Sequence, residues 1–70
     1  MIKYDKLWKT AEKKGISKSM LNKKYNVSKA QIFRLRHNKN ISSNTLDKLC
    51  NILECDICDI MEHIQDDNFF

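Results

Sequence analysis

Apolar residues return along this chain at helical intervals. Tyr4, Leu7, Trp8 and Ala11 stand at i, i+3, i+4 and i+7, so a 3.6-residue period gathers them on one stripe. Gly15 follows, the residue best suited to the left-handed backbone that closes a helix. Leu46, Leu49, Cys50 and Leu53 repeat the spacing, and Ile57, Ile60, Met61 and Ile64 repeat it again. Two shorter segments lie between. Met20 and Leu21 are the inward residues expected of a helix over about 18–24, capped by Ser17. Ile32 and Leu35 are those of a helix over about 29–37, opened by Ser28 with Gln31 at capping-box spacing. Tyr25-Asn26-Val27 reads as the turn joining them, since Asn tolerates a positive φ. His37-Asn38-Lys39-Asn40 ends the second of the pair. Ser43 or Asn44 is the expected cap of the fourth helix and Asp56 that of the fifth. The pattern therefore predicts an all-α domain of five helices.

Composition agrees with this. The absence of Pro and the single Gly disfavour a β-rich fold with many tight turns. With 41% hydrophobic and 31% charged residues, the chain is too apolar for intrinsic disorder. Seventy residues close one hydrophobic core, so residues 1–70 are read as one domain. Its terminal Asp-Asp-Asn-Phe-Phe has no periodicity and is expected to fray. No apolar run approaches the roughly 20 residues of a membrane span, and residues 1–9 hold no apolar signal core. A cytoplasmic protein with no membrane partner is the expectation.

Charge adds the functional clue. Residues 1–40 carry 12 Lys/Arg against Asp5 and Glu12, a net +10. Residues 41–70 carry Lys48 against seven Asp/Glu, a net −6. So basic a segment within a folded domain calls for a polyanion, nucleic acid foremost.

Two short helices joined by a tight turn within a small helical chain make a helix-turn-helix, here over about 17–37. The segments Ile16-Ser17-Lys18-Ser19-Met20-Leu21, Asn26-Val27-Ser28-Lys29-Ala30-Gln31-Ile32-Phe33-Arg34-Leu35 and Leu46-Asp47-Lys48-Leu49-Cys50-Asn51-Ile52-Leu53 carry a resemblance. With the closing Asp59-Ile60-Met61, they resemble the Cro/C1-type (XRE-like) helix-turn-helix family from Tyr4 to about Glu62. The resemblance implies a five-helix, lambda-repressor-like domain that binds double-stranded DNA and regulates transcription, most often by repression. Asn22, Asn26 and Arg36 depart from the family's usual Ala, Gly and Glu. Asn26 preserves a left-handed turn, Asn22 puts polarity where two helices approach, and Arg36 adds positive charge.

With Ile32 and Leu35 inward, steps of about 100° per residue put Ala30, Phe33, Arg34 and His37 on the outer face of the third helix. Lys29 lies on one flank with Arg36. Lys29, Ala30, Phe33, Arg34 and His37 are the candidate base readers: Arg34 for guanine, Ala30 or Phe33 for a thymine methyl. Ser17, Lys18, Ser28, Gln31, Arg36, Asn38 and Lys39 are the candidate DNA-backbone contacts, because helix N-termini and nearby cations attract phosphate. The resemblance assigns backbone contacts to the same regions.

Cys50, Cys55 and Cys58, with His63, raise the alternative of a metal-binding module. On a fifth helix Cys58 and His63 would lie about 140° apart, so reduced structural thiols are the preferred reading and no metal or other cofactor is expected. No phosphate loop or nucleophile with a positioned base is present, so an enzyme is not expected. A further alternative is an antitoxin-like regulator whose acidic half grips a protein partner. A homodimer through the fifth helix and the tail is also expected, because one recognition helix covers too few base pairs to select an operator.

Overall fold

A computed structural model of the chain describes residues 1–65. The expected fraying of residues 66–70, and their part in a dimer, lie outside the described residues. Among the described residues four α-helices form in order: α1 (Asp5–Lys13), α2 (Lys18–Lys23), α3 (Lys29–Arg36) and α4 (Ser43–Leu53). A 3-10 turn at Ile57–Asp59 follows. Two short strands, β1 (Ile2–Lys3) and β2 (Glu62–His63), pair antiparallel with Ile2 opposite His63 and Lys3 opposite Glu62.

The first three helices follow their patterns. Tyr4, Leu7 and Ala11 of the first stripe are buried and Trp8 packs half-buried at its edge. Gly15 takes φ 70 just beyond α1. Ser17 Oγ accepts from Met20 N and Ser28 Oγ from Gln31 N, each at 3.2 Å, so both short helices begin on a capping hydroxyl. Leu21, Val27, Ile32 and Leu35 then join Leu49, Leu53 and Ile60 in one core. Met20, expected inward, is only half-buried.

Three expectations need correction. Helix α4 is capped by Ser42, whose Oγ accepts from Thr45 N at 3.2 Å; neither Ser43 nor Asn44 is the cap, since the helix starts one residue earlier than its apolar stripe reveals. The capping box at Ser28 has one arm, because Gln31 Oε1 is buried without a hydrogen-bond partner.

The fifth helix does not form. Continuing an α-helix from Ile57 to Ile64 would require the carbonyls of Cys58, Asp59 and Ile60 to accept from amides four residues on. All three serve α1 instead. Lys6 Nζ donates to Cys58 O at 3.5 Å, Thr10 Oγ1 to Asp59 O at 2.8 Å, and Leu7 N to Ile60 O at 3.1 Å. Leu7 N, in the first turn of α1, is shared between Ile60 O and Tyr4 O, the latter at 3.0 Å. Ile64 N bonds Met1 O at 2.8 Å, extending the strand pair. The all-α, five-helix expectation thus becomes four α-helices, a 3-10 turn and a terminal β-ribbon. Of the stripe Ile57, Ile60, Met61 and Ile64 only Ile60 is fully buried, while Ile57 and Ile64 are exposed.

Candidate nucleic-acid interface

The candidate surface rests on a turn held from three sides. Asn26 takes φ 60, the left-handed conformation its side chain tolerates. Val27 anchors it in the core, and Val27 N donates to Leu21 O at 2.9 Å. Asn22 Nδ2 donates to Val27 O at 3.0 Å, so the polarity it introduces is satisfied by the turn carbonyl. From α4, Lys48 Nζ reaches Asn26 O at 2.9 Å. These bonds fix α2 against α3 and leave the outer side of α3 bare.

All five candidate base readers are exposed: Lys29, Ala30, Phe33, Arg34 and His37. The rings of Phe33 and His37, one turn apart, lie 4.3 Å apart between centroids and tilted by 41°. Arg34 Nη1 donates to Asn40 O at 3.4 Å, tying the guanidinium to the loop after α3. Ala30, Phe33, Arg34, Lys39 and Asn40 line an open cleft of about 630 Å³. A second cleft, of about 420 Å³, runs between α2 and α3 and brings Lys18, Lys29 and Arg36 together with Phe33.

The candidate backbone contacts divide. Ser17, Lys18, Ser28, Arg36 and Lys39 are exposed around the same face. Lys18 Nζ stands 5.2 Å from the centre of the Trp8 ring, which links α2 to α1. Gln31 is half-buried. Asn38, at φ 54, turns inward: its Oδ1 accepts from Tyr4 N at 3.0 Å and so closes the start of α1.

Among the described residues no Lys, Arg or His forms an ion pair with a carboxylate. Among the described residues the Lys and Arg side chains of the first forty positions are thus left without a carboxylate partner.

The cysteines and His63 are not drawn into one ligand set. Among the described residues the donor atoms that come within 4.8 Å of one another are those of Asp56, Cys58 and Asp59, all exposed on the 3-10 turn. Cys58 and His63 share no helix: Cys58 lies in the 3-10 turn and His63 in β2. Burial, joined by the carboxylates of Asp47, Asp56 and Asp59, pushes the Cys50 thiol up from its ordinary value. Burial does the same to Cys55, where nearby Lys14 works in the opposite direction.

A family model for the Cro/C1-type HTH DNA-binding domain matches residues 6–66. The chain belongs to the Cro/C1-type helix-turn-helix family. Its backbone is also similar to a solved crystal structure of the transcriptional regulator VanUg (Form II), with a TM-score of 0.84 and 34% sequence identity. That match covers 93% of this chain and 87% of the other. No curated protein matches the chain.

The matched residues of this Cro/C1-type domain include α2 and α3, the pair expected to form the helix-turn-helix. Ser19, which has no role in the sequence reading, and Lys23, which counts there only toward diffuse charge and solubility, both line the cleft between those helices. Their i, i+4 spacing on α2 was the available signal. Sequence reasoning also missed Asn40, whose carbonyl holds Arg34, and Lys48, which braces the turn from α4; no periodicity marks either bond. No helix among the described residues is long and apolar enough to cross a membrane.

Proposed function

We propose that this Cro/C1-type protein is a cytoplasmic transcriptional regulator that binds double-stranded DNA sequence-specifically and represses by blocking access of the polymerase. The observation that carries the reading is the outer face of α3, where the candidate base readers stand exposed among cations that form no ion pair among the described residues. In this reading α3 lies in the major groove and Lys29, Ala30, Phe33, Arg34 and His37 meet base edges. Ser17, Lys18, Ser28, Gln31, Arg36 and Lys39 meet phosphate, and Asn38 contributes through its loop. The VanUg likeness supports the regulatory role.

Selection of bound duplexes from a random pool tests this. Arg34→Ala is expected to cost about 1–3 kcal/mol on the selected duplex and to relax one base pair, whereas Lys18→Ala weakens all sequences alike. Equal losses on selected and random DNA in both variants would refute the assigned roles.

We infer further that two copies bind a two-fold site with half-sites about 34–36 Å apart. With no fifth helix to supply the contact, the exposed Ile57 and the cross-strand neighbours Met1 and Ile64 are the apolar surface available to it. Sedimentation at micromolar concentration, with and without residues 65–70, tests the pairing. A monomer in both cases with a non-palindromic selected site would contradict it.

A further inference from the structure

The least explained residue on the α3 face is Phe33. It is 51% exposed, whereas Ile32 and Leu35 on the same helix are buried. An aromatic ring half-exposed among cations offers a partner apolar area beside charge. Its surroundings are ordered: His37 leans on it from the following turn. Ala30, one turn earlier, offers only a methyl, and the cleft opens between them. One wall of that cleft is Arg34, tethered to Asn40 O; Lys39 also lines it.

The chemistry of the major groove narrows what such a cleft can accept. Base edges there present hydrogen-bond donors, acceptors and one kind of apolar group, the pyrimidine 5-methyl. Thymine carries it and 5-methylcytosine shares it. An aromatic ring and an alanine methyl can make no conventional hydrogen bond to the polar edges, so they lose water contact favourably only against that methyl. Arg34 spends one of its five donors on Asn40 O, which leaves enough to span O6 and N7 of a neighbouring guanine. We propose that the Ala30–Phe33 notch with Arg34 reads a 5-methylpyrimidine followed by guanine. The proposal rests on the DNA-binding reading above and adds the base chemistry of one step of the site.

The test uses the full chain and the duplex recovered by selection. Each thymine is replaced singly by uracil, which removes only the methyl. One position per half-site, next to guanine, is expected to lose about four-fold in affinity, the value of one buried methyl. In Phe33→Ala that difference is expected to vanish, and in Phe33→Leu to persist in part. Cytosine at the same position should bind as uracil does, with 5-methylcytosine restoring the affinity. If no thymine is sensitive to loss of its methyl, or if the sensitivity survives in Phe33→Ala, the notch does not read methyl groups although sequence-specific binding stands. If no duplex is preferred at all, the DNA-reading assignment fails with it.

Discussion

Residues 4–14 and 57–64 carry the same apolar spacing, yet one becomes a helix and the other does not. In α1 each stripe residue lies against the core, with only Trp8 partly open. In the later segment Ile60 alone is fully buried. The difference lies in the backbone. Helix α1 has N-terminal amides and side-chain donors that need acceptors from outside, and the carbonyls of residues 58–60 supply them. In this segment those three carbonyls accept from α1, and among the described residues the i, i+4 pattern stops at Met61 N to Ile57 O, 3.0 Å. Periodicity reports which residues could share a face; the destination of each carbonyl decides whether they do.

Ile60 is the one fully buried residue of the later segment, with Met61 packed half-buried against the same core. Ile60→Ala is expected to lower stability by about 2–5 kcal/mol in urea unfolding, as for other large-to-small core changes. A loss below about 0.5 kcal/mol would mean that the segment is peripheral to the core. Asn38 tests the other side of α1. Asn38→Ala leaves Tyr4 N without its acceptor and puts a Cβ residue at φ 54, so about 1–3 kcal/mol should be lost. Asn38→Gly is expected to recover the backbone part but not the hydrogen bond. Thr10→Val removes the donor to Asp59 O, for an expected cost of about 0.5–1.5 kcal/mol.

The smallest effect is a pH dependence confined to the acidic side of the molecule. Burial raises the Cys50 and Cys55 thiols, so the folded state keeps protons that the unfolded state gives up. Stability contributed by the neutral thiols is present below the ordinary thiol range and declines as pH rises through it toward the raised folded values. Urea midpoints measured across the alkaline range should fall with pH, and the fall should shrink in Cys50→Ala. An unchanged slope in that variant would remove Cys50 as the cause.

Helix starts were legible where a hydroxyl stood beside an apolar stripe, as at Ser17 and Ser28, and Asn26 and Gly15 announced their left-handed turns. Ser42 was missed because three potential caps stand in a row and only the geometry of the incoming loop chooses among them. The β-ribbon was illegible: two residues per strand leave no alternation to see, and the pairing spans nearly the whole chain. Of the interface, the outward residues of α3 followed from its wheel. The tethers at Asn40 and Lys48 did not, because they join residues that share no element.

In the proposed complex the basic, helix-turn-helix side of the molecule lies on the phosphate backbone while the acidic side stays clear of it. A salt titration of affinity for the selected duplex tests this most directly. Neutralised phosphates release counterions, so log K should fall linearly against log salt with a slope of about −4 to −6 per bound subunit, near −0.9 per phosphate. Lys18→Ala should make that slope shallower by about one unit, while Lys6→Ala, whose Nζ reaches Cys58 O on the opposite flank, should leave it unchanged. A flat salt response, or a slope that Lys6 changes and Lys18 does not, would contradict the account.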